Sequence, residues 1–401
     1  MRVIQLSVAA NAENGTAHSR KNDSFLIKIL SRVINLSDYT IFMLNYNLFL
    51  LNIGSQSSGL VAEWLCRGLQ ILGCRFDSDP GLHSKKYPVW VFFYVRIYIE
   101  RNILMTAEFE SILLSMRPAS PRTVALACAT DANALSSIIT AHRMGFVNAI
   151  LCGDETQIKN VARENNMNIS DFEILHCADE LLAAQTAVRL VRDGRADILM
   201  KGKIHTADIL RAVLNRETGI RGDGILSHVS VLYSPSRKRK LFLTDIAMVM
   251  YPDLEKKIGL INNSVPFARH MGVDMPRVAT LCAVETLNPA MPATVDADAL
   301  RQMNERGEIK NCIISGPISF DLAVSADAVR AKSYSGPVMG DADILLFHNI
   351  EAGNNTIKAM VQFGDWIFGG VIIGARAPIV VNSRSDSDTS KLFSIACACT
   401  M

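Results

Sequence analysis

Between positions 123 and 381 the chain alternates short, uninterrupted apolar runs with segments of helical period, a pattern that few folds other than a parallel sheet with crossover helices accommodate. Runs this short, with no polar residue inside them, read as strands buried on both faces. The spacing places strands at 123–129, 149–152, 173–176 and 198–200. Helices follow them: one starting at Asp131, one over 155–165, and one over 178–192 closed by Gly194. A hairpin then interrupts the rhythm, with strands at 226–233 and 240–243 around the polar turn 234–239. After a long amphipathic helix over 254–270, strands are expected at 277–281, 311–314, 344–347, 371–374 and 379–381. With 401 residues, 49% of them hydrophobic, the chain exceeds what one core comfortably serves, so two lobes are expected.

The first hundred residues differ in kind. They hold Trp64 and Trp90 and much of the tyrosine, and the composition shifts near Met105. The apolar stretch 39–53 carries Asn45, Asn47 and Asn52, and 89–95 ends at Arg96, so neither reaches the ~20 apolar residues of a membrane helix. No compact apolar segment behind a basic head marks a signal peptide at the start. The stretch Cys74-Arg75-Phe76-Asp77-Ser78 is compatible with the coding run AGG-TTC-GAT-TC, the sense of a transfer-RNA T-loop. Residues 1–104 are therefore either translated non-coding sequence or a lineage-specific extension.

Forty-one basic and 39 acidic residues leave a net charge of +2 without a long like-charge block, which argues against nucleic acid as a partner. Any anion must be held by local geometry. Nine cysteines occur without a CxxC pair or zinc spacing. They read as reduced core residues of a cytoplasmic protein, and no metal site is expected.

In open α/β sheets, ligands bind beyond the carboxyl ends of the strands, where helix N-termini present free amides. Here those ends carry Lys201-Gly202, Ser315-Gly316-Pro317 and Asn382-Ser383-Arg384. The last is the sharpest. An apolar strand runs into Ser383-Arg384-Ser385-Asp386-Ser387-Asp388-Thr389, after which Leu392, Phe393 and Ile395 resume helical packing. Arg384 can grip phosphate oxygens with its planar fork while serine hydroxyls and first-turn amides complete a cradle. An N-cap with a surface arginine would look the same from spacing alone. Glu351-Ala352-Gly353-Asn354 is equally open between a capping turn and a ligand-facing asparagine. The chain contains no GxxxxGK[ST], GxGxxG, GxSxG or HExxH, so nucleotide hydrolysis and serine-hydrolase chemistry lose support.

From about Thr123 onward these residues resemble the phosphate acetyltransferase and phosphate butyryltransferase family. The matching segments, in order, are LMKGKIHTADIL from Leu199, LSHVSVL from Leu226, LFLTDIAM from Leu241, AVETLNPAMPATVDADAL from Ala283, RGEI from Arg306, GPISFDLAVS from Gly316, IEAGN from Ile350 and SRSDS from Ser383. The resemblance implies an α/β fold of two domains, with a parallel-sheet α/β/α arrangement and an inter-domain cleft, like that of isocitrate and isopropylmalate dehydrogenases. It divides the body into 105–250 plus 370–401 and 251–369, and it implies a homodimer.

It also implies an acetyltransferase, with butyryl transfer as the alternative and a non-catalytic binder of acyl phosphate or coenzyme A as the reading from another class. Coenzyme A or acyl-CoA and phosphate or acyl phosphate are then substrates, and no cofactor, nucleic acid or membrane is involved. Arg384 is implied to hold the phosphate and Ser383 to lie near the reacting carbonyl. Asp386 and Asp321 are candidate proton acceptors. The candidate substrate-binding residues are Lys201, Gly202, Thr206, Ser227, His228, Gly316, Glu351, Gly353 and Asn354, with His228 also a third proton acceptor. Three positions depart from the family pattern: Ser315 for an aspartate, Val249 for an asparagine, and Ser390 where the acetyltransferase branch has an acid.

Overall fold

The computed structural model describes residues 30–36, 39–44, 47–52, 109–382 and 386–401. The chain divides into two units, Met1–Glu108 and Phe109–Met401. In the first, β1 (Leu30–Leu36), β2 (Tyr39–Leu44) and β3 (Asn47–Asn52) form an antiparallel sheet in that order. The apolar stretch around 39–53 is thus two strands, not one helix. Arg75 and its neighbours lie outside the described residues.

The second unit is built on one eleven-stranded sheet. Its first half contains β4 (Arg122–Ala127), β5 (Val147–Gly153), β6 (Glu173–His176) and β7 (Ile198–Lys201). Its second half contains β8 (Ser227–Ser234), β9 (Arg239–Thr244), β10 (Arg277–Leu281), β11 (Ile313–Ile318) and β12 (Ile344–Leu346), and β13 (Ile367–Ile373) and β14 (Ile379–Val380) join the two. The strand order is β11-β10-β12-β9-β8-β13-β14-β7-β4-β5-β6. Pairing is mostly parallel, but β8 and β13 run antiparallel to both of their neighbours. The carboxyl ends of β4, β7 and β14 therefore emerge at one end of the sheet and those of β9, β10 and β12 at the other.

The helices are set by ordinary capping. Asp131, Asp154, Asp179 and Asp253 each accept a backbone N–H at the starts of α1 (Ala132–Arg143), α2 (Glu155–Glu164), α3 (Glu180–Arg192) and α5 (Leu254–His270). Gly194, at φ 74°, closes α3 as its position in the sequence suggests. Further helices are α4 (Thr206–Val213), α6 (Pro292–Glu305), α7 (Phe320–Val324), α8 (Ala326–Ala331), α9 (Ile350–Phe363) and α10 (Asp388–Cys399).

Both sheet faces are covered, giving three layers. One apolar cluster runs along an entire face, joining α1, α5 and α10 to Val124, Val229, Val231 and Val278. On the opposite face the apolar contacts split in two: α3 and α4 pack on Leu199, Ile372 and Ile379, while α7 and α9 pack on Leu232, Leu243 and Leu345. Fully burying each of these large apolar side chains contributes ~1.5–3 kcal/mol. The last helix closes the first half: Cys399 and Phe393 are buried, and Arg122 donates to the Met401 carbonyl at 3.1 Å.

Most strands fall within two residues of the sequence expectation, and two differ more. Residue 311 lies outside β11, since Asn311 has φ 62° and the strand starts at Ile313. β13 starts four residues before position 371: Gly369 and Gly370 pair with Val231 and Ser230 inside the ladder.

Candidate functional site

The gap between the two apolar clusters is polar, and strand register explains it. On β8, Val229 and Val231 face the continuous core, so His228, Ser230 and Leu232 face the other way. Leu232 belongs to one cluster and Ile372, the register partner of His228, to the other. His228, Ser230 and Gly370 occupy the seam between them. A Cβ on Gly370 would sit 2.5 Å from His228 Cε1 and 2.7 Å from Nε2, so the imidazole lies against bare backbone.

His228 is buried, and its Nδ1 and the Ser230 hydroxyl share a hydrogen bond of 3.1 Å. Burial pushes the imidazole below its usual range, against the opposing pull of Asp245 and Asp386. Two of the candidate residues, His228 on β8 and Asp386 between β14 and α10, thus interact electrostatically. Ser227, the neighbour of His228, is buried and receives a hydrogen bond from Asn263 Nδ2 at 2.8 Å.

Asp245, which the sequence reading passed over, organises the carboxyl end of β9. It is buried, and both its oxygens accept backbone N–H groups. Gly353 and Asn354 meet this turn from α9: a side chain at 353 would strike the Asp245 carbonyl, and Asn354 Nδ2 donates to the Ile246 carbonyl at 3.1 Å. Their neighbour Glu351 is exposed and accepts from the Tyr251 hydroxyl at 2.5 Å, which holds its carboxyl below the usual range.

At the carboxyl ends of β7 and β14 a second polar group assembles. Asp131, Ala134, Met200, Lys201, Gly202, Asn382 and Lys391 line a small cavity. Gly202 is required here because any side chain would collide with the Cys128 carbonyl, and its N–H donates to Ala127 at 2.8 Å. Lys391 is only 4% exposed, and its Nζ donates to the Asp386 carbonyl at 2.5 Å. Asn382 Nδ2 donates to Ser394 Oγ at 3.1 Å. The sequence reading did not single out Lys391. Its signal is positional: Lys391, Ser394, Ile395 and Ala398 fall at i, i+3, i+4 and i+7, the buried stripe of α10.

Ser383 and Arg384 lie outside the described residues; Asn382 and Asp386, on either side of them, are both held by α10. The other candidates sit elsewhere. Thr206 opens α4 and is exposed. A side chain at Gly316 would fall onto Thr280, so that glycine packs β11 against β10. Asp321, on α7, forms an exposed ion pair with Lys332 at 3.0 Å. A hydrogen bond from Ser319, and then one from Lys332, hold its carboxyl below the usual range. Three strands separate β11, which leads into α7, from β8, roughly 19 Å across the sheet. Of the departing positions, Ser315 is buried beside Tyr334 and Val249 packs on the main core. Among the described residues no group of three or more His, Cys, Asp or Glu could hold a metal ion, and no helix is long and apolar enough to cross a membrane.

A sequence profile described as phosphate acetyl/butaryl transferase matches residues 177–399, which span α3 to α10 and the groups just described except Ala127, Cys128, Asp131 and Ala134. The chain belongs to that family. It is 42% identical over 294 residues to a phosphate butyryltransferase of Clostridium acetobutylicum, covering 73% of this chain and 98% of that protein. To a phosphate acetyltransferase of Rhizobium meliloti it is 37% identical over 292 residues, covering 73% and 92%. Among solved structures, a branched-chain phosphotransacylase from Enterococcus faecalis V583 superposes with a TM-score of 0.63 at 35% identity, covering 70% of this chain and 98% of that one. The mixed α/β architecture with a large, mostly parallel sheet is thus shared within the family.

Proposed function

We infer that this phosphate acyltransferase moves an acyl group between coenzyme A and inorganic phosphate, in either direction. The observation that carries this is the identity shared with relatives named phosphate butyryltransferase and phosphate acetyltransferase over nearly their whole lengths. In the thioester-forming direction the thiol loses its proton, sulfur bonds to the acyl carbon, and the bond from that carbon to the phosphate oxygen breaks. The site must position two anionic substrates, neutralise the departing phosphate and accept one proton.

The seam supports such chemistry. Ser383-Arg384 follows Asn382 after β14 in the sequence, and the charge of Asp386, on the far side, acts on His228. We assign the phosphoryl group to Arg384 and the carbonyl to the vicinity of Ser383, with Lys201 and Gly202 at the adjoining strand end. Asp386 is the preferred proton acceptor, since Asp321 is committed to Lys332 at the sheet's edge. Two lobes, 105–250 plus 370–401 and 251–369, are proposed to face each other across the seam. The two separate apolar clusters on that face support two lobes, but Leu232, Leu241 and Leu243 pack with the second of them rather than the first. No redox step occurs, so no nicotinamide is needed, and the charge of the departing phosphate is assigned to Arg384 rather than to a metal.

Within the class we propose acetyl transfer. Butyryl transfer has its own support in the phosphate butyryltransferase relatives, and one methylene changes binding by only ~1–3 kcal/mol. Thioester formation from acetyl, propionyl and butyryl phosphate, measured side by side with chelator present, tests the reading. Thioester from none of the three would leave a non-catalytic binder of the same ligands. A homodimer in the cytoplasm is the proposed working form, and a monomeric mass by light scattering would refute the dimer.

A further inference from the structure

The turn after β9 sends its apolar side chains three ways. Ile246 packs with Leu232, Leu243 and Leu345, and Val249 packs on the continuous core of the opposite face. Met248 instead joins the cluster of Leu199, Ile372 and Ile379. Leu241 and Leu243, on the strand that leads into this turn, belong with Ile246. Met248 is therefore laid from one cluster's strand against the other cluster, at the seam between them.

The backbone beneath it is fixed. Asp245 Oδ1 accepts the N–H groups of Ala247 and Met248, and Oδ2 accepts that of His228. His228 in turn pairs in register with Ile372, a member of the cluster that Met248 packs on. One carboxylate thus holds the Met248 backbone beside the polar residues of the seam. The Met248 side chain stays only half-buried, as do Leu226 and Val381 at the margin of the same cluster. Val381 lies two residues before Ser383 in the sequence. An apolar margin left partly open beside polar groups suits a ligand with a short hydrocarbon part and a polar head. Of these three side chains, methionine is the longest and the most adaptable in shape.

We propose that Met248 is a specificity-determining residue: its side chain walls the acyl pocket in the seam and sets the length of acyl chain that the enzyme accepts. This rests on the reading of the chain as a phosphate acyltransferase with the acyl carbonyl near Ser383. Met248 makes and breaks no bond in the reaction. A shorter wall admits a longer chain and a bulkier wall excludes it, while the hold of Asp245 on the backbone keeps the turn in place when the side chain changes.

The test compares kcat/KM for acetyl and butyryl phosphate in the full chain, for wild type, Met248→Ala and Met248→Phe, with thermal melting alongside. Met248→Ala should raise the butyryl-to-acetyl ratio at least about ten-fold, and Met248→Phe should lower it by about as much, because each methylene in a fitted pocket is worth roughly ten-fold or more. If Met248→Ala does not fold, Met248→Phe reads the same ratio in the opposite direction. A residue that only joins the two clusters would change both substrates by one common factor, together with the melting temperature. An unmoved ratio of that kind in an active enzyme overturns the assignment of Met248 alone. If wild type forms thioester from neither acyl phosphate, the acyltransferase reading falls and this assignment falls with it.

Discussion

Asp245 accepts the backbone N–H of His228 through Oδ2 at 2.8 Å, while its Oδ1 takes the N–H groups of Ala247 and Met248 at 2.7 and 2.8 Å. One buried carboxylate thus fixes the start of β8 to the turn after β9. Hydrogen bonds to a charged group contribute ~1.5–3 kcal/mol each and are not additive. Asp245→Ala, which leaves three donors without their acceptor, should cost about 3–5 kcal/mol. A urea midpoint unchanged from wild type would refute this.

Gly370→Ala should displace His228, because the new methyl would overlap the imidazole edge. Overpacking of this kind costs ~1–3 kcal/mol. Turnover should fall with it, and the paired variant Gly370→Ala/His228→Ala should recover stability relative to Gly370→Ala alone. Failure of that recovery in thermal melts would show that the clash is relieved elsewhere.

Arg384→Ala removes a charge-assisted contact that strengthens as phosphate departs, worth ~2–4 kcal/mol in the transition state. Turnover should drop roughly thirty-fold to a thousand-fold. Arg384→Lys should restore only part, since an ammonium has no planar fork. Ser383→Ala should lower turnover more than it changes the apparent affinity for coenzyme A. Steady-state kinetics on folded variants decide each of these.

His348 gives the stability a pH dependence. Burial first, and then the charge of Lys257, push its imidazole from 6.5 down to about 4, so it stays neutral in the folded chain where the unfolded chain would protonate it. The unfolded state binds the extra proton between those values, and stability is lost as pH falls through them. The full effect is roughly 3 kcal/mol, reached below about pH 4. His348→Gln should narrow the gap between urea midpoints measured near pH 7.5 and near pH 5. An unaltered gap would assign the acid sensitivity to other groups.

A chain beginning at Met105 should keep full activity, because every family segment lies downstream and the profile match begins at 177. Loss of soluble protein on that truncation would show that the preceding residues pack on the body.

Much of the architecture was legible because buried parallel strands are written as unbroken apolar runs, as at Val124–Ala127 and Leu199–Met200, and because Asp131 and Asp179 announce helix starts. The start of β13 was placed too late, and Gly369-Gly370 give the physical reason. Local preference reads two glycines as a break, whereas close packing against Phe393 and His228 excludes anything larger. In the site, His228 and Asp386 were named but their electrostatic interaction was not, since it depends on β8 and β14 both flanking β13. Asp245 and Lys391 were harder still. A carboxylate at a strand end and a lysine in a helix usually face water, and only burial reveals that these two spend their polar atoms on backbone.

The closure of the first half by α10 sets a timetable for biosynthesis. Phe393 and Cys399 complete a core whose other walls, around Leu126, Leu135 and Phe146, are translated more than two hundred residues earlier. At roughly 5–20 residues per second, that early half waits at least about ten seconds on the ribosome with an open apolar face. Slow, long-range closure of this kind makes the nascent chain a natural client for chaperones that shield exposed apolar surface.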